Sequence, residues 1–199
     1  MSKEVVSYML SGMDNMKSLQ VQLVLQCAPF LKGIKIACIL NISEENSREL
    51  QKVLEGTGIT FRILTRNQGK CLVFLYRHKS FTEYLSRTDV REFLNAYGYK
   101  ENEPEEMLQR LSARVCRYSD EGNCFPHEIG AFLDYPIDDV KCFIEKDGKD
   151  SLFSGYWKVY NNPGRAKMIF WAYDKAKTSA VNEYLIGKSI RDIAYAAAC

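Results

Sequence analysis

TFRILTRNQGKCLVFLYR occupies residues 60–77. Thr60 to Thr65 alternates apolar and polar residues and is rich in β-formers, so it reads as a strand. Asn67-Gln68-Gly69 reads as a turn. Lys70 to Arg77 is apolar on both faces, which suits a central strand. So short a gap between the two runs makes them an antiparallel hairpin.

Upstream, Met16, Leu19, Leu23 and Cys27 recur at helical spacing and predict a helix over 14–28, bounded by Pro29 and Gly33. Ile34 to Ile42 is the next strand. Ser43 is a good N-cap for a helix over 44–55, which Gly56 and Gly58 stop. The strand–helix–strand passage over 34–65 suits a right-handed crossover. Downstream, Ser80-Phe-Thr-Glu83 matches a capping box opening a helix towards Ala96. Pro104, with Glu103, Glu105 and Glu106 around it, starts a helix reaching about Tyr118. Short helices follow near 127–134 and 137–146. Ser151 to Tyr160 is a fourth strand, Asn162-Pro163 opens a long helix, and a last helical piece covers about 188–198. The expected fold is α/β (α+β): a mixed four-stranded sheet with helices on both faces, in a single domain over 1–199.

The chain has 199 residues and 46% hydrophobic content, enough for a sizeable core. Lys plus Arg is 27 against 25 for Asp plus Glu, a net charge of +2. That balance lacks the basic excess of nucleic-acid binders and the polybasic cluster of membrane-surface proteins. No apolar run approaches the ~18 residues of a membrane span. Seven Cys, no CxxC and no secretory leader point to reduced thiols and a cytoplasmic location.

FPHEIG at 125–130, LDYP at 133–136, Asp139-Val140 and GYWKVY at 155–160 form one pattern. Cys27-Ala28-Pro29, LVFLYR at 72–77 and DVREFL at 89–94 accompany it. In this combination the chain, over roughly residues 20–185, resembles the bacterial family of unknown function numbered 3793. The resemblance implies a protein of similar size and brings no catalytic residues. Asp134 stands where the family commonly has glycine. Cys142 also departs from the usual pattern, and the tail past Gly187 reads as particular to this chain. These departures argue against roles for Cys142 and Cys199.

Two chemistries fit the remaining signals. Cys27 as nucleophile, His127 as base and Glu128 as orienter would suit a thiol-dependent hydrolase or transferase, because imidazole can take the thiol proton and a carboxylate can hold the tautomer. On a strand, Tyr156, Lys158 and Tyr160 share one face, and a lysine between two phenols suits a small anionic or aromatic ligand. Tyr76 and Lys70, with Arg66 beside it, are placed with this pocket. Cys116, Cys124, His127 and Cys142 lack the paired close spacing of a zinc site, so no metal and no cofactor is expected. Residues 126–150 carry seven acidic side chains against three lysines, which excludes a helix–turn–helix reading of their two helices. The expectation is a small-ligand-binding or regulatory protein, with the thiol enzyme as its alternative. No nucleic-acid or membrane partner is expected. Whether the chain is an enzyme and how it oligomerises stay open at this point.

Overall fold

The computed structural model describes residues 14–121 and 125–194. The mixed α/β class is as read. Helix α1 (Asn15–Leu31) begins where the Asp14 carboxylate accepts the Lys17 N–H at 2.7 Å. It runs through Pro29 rather than stopping there. An interior proline costs about 3 kcal/mol. Burial of Phe30 and Leu31, neither with any exposed surface, offsets this at roughly 1.5–3 kcal/mol each.

Strands β1 (Ala37–Ser43), β2 (Thr60–Asn67) and β3 (Lys70–Tyr76) form an antiparallel sheet in the order β1-β3-β2. The apolar run at 70–77 is thus the central strand. Gln68 and Gly69 both have positive φ, 49° and 72°, in the two-residue turn between β2 and β3. Such a turn matches the natural strand twist, and glycine adopts it without penalty. Since β1 and β2 both run antiparallel to β3, they are parallel to each other. Two short helices, α2 (Glu44–Ser47) and α3 (Leu50–Val53), replace the single helix expected there. The β2 register shifts at Leu64, and the Leu64 carbonyl accepts bonds from Ser112 Oγ and Cys116 Sγ.

Alternation along the strands divides the core. Cys38, Leu40, Val73 and Leu75 pack with α1, while Phe74, Tyr76 and Ala37 pack with the helices that follow β3. Those are α4 (His78–Leu85), α5 (Thr88–Ala96), α6 (Pro104–Glu121), α7 (Ile129–Phe132) and α8 (Ile137–Glu145). Ser80 is not a cap. It lies inside α4, its hydroxyl donating to the Arg77 carbonyl, and the helix breaks at Ser86–Arg87 before α5.

The expected fourth strand does not join the sheet. Residues 153–159 fold on themselves as a two-stranded hairpin, β4 (Phe153–Ser154) with β5 (Lys158–Val159). Gly155 turns the chain and presses against the Phe170 ring of α9 (Pro163–Leu185). The helix face with Ala180 covers α1, while Ala166 and Tyr173 join Trp157 and Val159 in a smaller core. A last turn, α10 (Ile190–Ile193), is closed by a Ser189–Asp192 capping box. Among the described residues, no helix is long and apolar enough to cross a membrane.

Candidate functional site

The site is built around a carboxylate that forms no ion pair among the described residues. Asp139 on α8 is buried, and its oxygens accept Trp157 Nε1–H at 2.8 Å, Tyr160 N–H at 3.0 Å and Asn161 N–H at 2.7 Å. Asn161 Nδ2 adds a longer bond at 3.3 Å. Several N–H donors on one carboxylate replace its lost hydration. They also fix the hairpin onto α8 and set the indole upright. Trp157 then stacks on Tyr135, ring centroids 5.5 Å apart, and meets Phe170 edge-on at 4.5 Å.

Between α7, α8 and this hairpin lies a hollow of about 180 Å³. Ile129, Val140, Phe143, Tyr135 and Trp157 form its apolar walls, and His127, Lys158 and the hydrogen-bonded Asp139 are its polar lining residues. The His127 ring packs edge-on against Phe143 at 4.9 Å and lies tilted against Phe125 at 5.4 Å. The Lys158 ammonium donates to the Gly148 carbonyl at 2.5 Å and lies 5.7 Å above the Phe143 ring. The imidazole and the lysine read from sequence therefore line one cavity.

Other residues singled out from the sequence lie elsewhere. Cys27 has no exposed surface and sits in the core that α1 makes with the sheet, within hydrogen-bond reach of Cys38. Burial pushes the Cys38 thiol up. Cys27 does not line the hollow that holds His127. The Glu128 carboxylate is buried and binds Tyr99 Oη–H at 2.9 Å and Arg114 Nε at 2.6 Å. It clamps α6 to the loop before α7. Tyr76 is buried on the sheet and its hydroxyl donates to Glu105 at 3.2 Å; burial first, then Glu105, pushes it up to about 12. Lys70 is exposed at the hairpin end, and Arg66 pairs with Glu44. Tyr156 donates to Asp174 at 2.8 Å and packs on Tyr173, while Tyr160 lies under the Lys146 ammonium. Because Gly155–Trp157 is a turn, Tyr156, Lys158 and Tyr160 do not share a strand face. Of the four residues weighed as zinc ligands, Cys124 lies outside the described residues.

Tyr135, Asp139, Val140 and Trp157 were not singled out as site residues, although each sits in LDYP, Asp139-Val140 or GYWKVY. The available signal is an aspartate beside Ile137 and Val140 on a short apolar helix, and its burial requires donors. Asp134, in the turn between α7 and α8, is partly buried. Burial pushes its carboxyl up to about 6, against the opposing pull of Arg87, Lys35 and Arg165.

The comparisons agree with the motif reading. None of the curated proteins and none of the solved structures matches the chain. One family model, described as a protein of unknown function (DUF3793), matches residues 23–194. The match continues past Gly187, so residues 188–194 lie within the family's span. Since it covers most of the 199 residues, the chain belongs to the DUF3793 family.

Proposed function

We propose that this protein binds a small single-ring aromatic molecule bearing an anionic group, in the hollow between α7, α8 and the β4–β5 hairpin. One observation carries the reading: His127 and Lys158, remote in sequence, edge the same apolar cavity of about 180 Å³. An apolar cavity of about 150 Å³ accepts benzene. The hollow therefore suits one ring and is too small for the drug-sized ligands that occupy roughly 300–1,000 Å³. Lys158 uses one of its ammonium donors on Gly148, and the others are available to an anion. The His127 nitrogens bond none of the described residues, so the imidazole adds a second polar handle. The placement of Cys27, without solvent access, lends no support to thiol chemistry.

The test is calorimetric titration of the full chain with benzoate and with toluene. Benzoate is expected to bind about ten- to a hundredfold tighter, the worth of one charge-assisted hydrogen bond. Lys158→Met should remove that preference while leaving toluene binding and the melting temperature intact. Equal affinity for both molecules, or binding of neither, would sink the reading.

A further inference from the structure

A second cleft, about 420 Å³, shares the Tyr135 and Trp157 wall and is lined by α4, α5, the α7–α8 turn and the first half of α9. The geometry points to this cleft as the binding site of a small zwitterion, an α-amino acid with an aliphatic side chain, whose ammonium is held by Asp134 and whose carboxylate is held by Arg165.

Asp134 carries three separate costs at one position. Its φ is +60°, a left-handed conformation that aspartate tolerates less well than glycine. Its carboxylate forms no hydrogen bond or ion pair among the described residues. Its surroundings are desolvating enough to hold the carboxyl well above the usual range even with three cations nearby. Strain and an unanswered, partly buried acceptor together cost on the order of a few kcal/mol, and such costs gather where a ligand supplies the missing partner.

The charges of the cleft choose the ligand. Arg87 and Asp89 are bonded to each other, at 3.1 and 2.7 Å, and cancel. Lys141 and Arg165 remain against Glu92, Asp134 and Asp138, and neither cation is paired among the described residues. A simple amine would gain Asp134 but meet two cations. A simple carboxylate would gain Arg165 but meet three anions. A molecule with both groups satisfies each end and avoids either repulsion. Between the charges, Ile137, Ile169 and the ring of Tyr173 offer an apolar wall for a side chain. The volume falls within the range of small-molecule sites, roughly 300–1,000 Å³.

The test compares L-leucine with isoamylamine, which lacks the carboxylate, and with 4-methylpentanoate, which lacks the ammonium. Titration of the full chain near neutral pH should find leucine at least about tenfold tighter than either analogue. Asp134→Asn should weaken leucine about tenfold or more, with the fold verified by circular dichroism. Arg165→Gln, an exposed change, should weaken leucine to the level of isoamylamine and should not weaken isoamylamine itself. Leucine binding no tighter than its analogues, binding indifferent to both substitutions, or no binding at millimolar ligand would each overturn the assignment.

Discussion

Tyr135 and Trp157 stack at 5.5 Å with 30° between their planes, and this pair walls both the ring-sized hollow and the larger cleft. Their position is set from behind. Asp139 holds the indole N–H, Phe170 closes on the indole edge, and the Lys35 ammonium lies 4.8 Å over the phenol ring. Two cavities therefore depend on one carboxylate, which also lines the smaller of them.

Asp139→Ala should destabilise the chain by about 2–4 kcal/mol, because it leaves several N–H donors without an acceptor at once. Asp139→Asn should cost less, since its amide oxygen still accepts. Urea unfolding measures both. Trp157 emission should shift to the red as the hairpin loosens, while exposed Trp171 is unaffected. An Asp139→Ala protein as stable as the wild type would show that the hairpin is held by packing alone.

Gly155→Ala should cost about 1–3 kcal/mol, because a methyl group there collides with the Phe170 ring. Phe170→Leu makes room, so the double variant should recover part of the loss relative to the sum of the single changes. Simple additivity in thermal unfolding would mean that the close approach is not what disfavours a side chain at 155.

Stability should depend on pH through Asp134. Its folded value of about 6 exceeds the ~3.9 of an unfolded chain. The folded state therefore holds the proton more firmly. This contribution is fully present below about pH 4 and is lost as pH rises through about 6, at a cost of about 2–3 kcal/mol. The groups facing the carboxyl are Arg87, Lys35 and Arg165 as cations and the phenols of Tyr84 and Tyr173. Asp134→Asn should consequently be more stable than the wild type at pH 8 and close to it at pH 4, measured by melting temperature. Parallel profiles would show that another group governs this window.

Cys27→Ala should leave benzoate and leucine binding unchanged and cost about 1 kcal/mol, the worth of a buried sulfur-sized group. In the native protein, Cys27, Cys38 and Cys71, all buried, should resist thiol-specific reagents until urea is added. Rapid labelling of Cys27 in native buffer would restore the thiol-enzyme reading.

The hairpin at 60–77 was legible because its signals are local: alternation, a glycine turn and an apolar run long enough for one strand. The helix from Pro104 and the two short helices around Pro136 were legible for the same reason. Ser151–Tyr160 was not. Its β-rich composition is real, but whether it joins the sheet or folds back depends on Phe170 and Asp139, residues that meet Gly155 and Trp157 only in three dimensions. The helix opening at His78 rather than Ser80 has a similar cause, since the chain turns straight out of β3.

Residue types and spacing alone determined the class of fold, its central strand, the family motifs and His127 and Lys158 as separate candidates. Tertiary structure alone decided that those two share a cavity, that Glu128 answers Arg114 instead of His127, and that Cys27 is sealed. The difference is one of range. Propensity and periodicity act over a few residues, whereas desolvation of a carboxylate or a thiol is set by whichever distant segments pack against it.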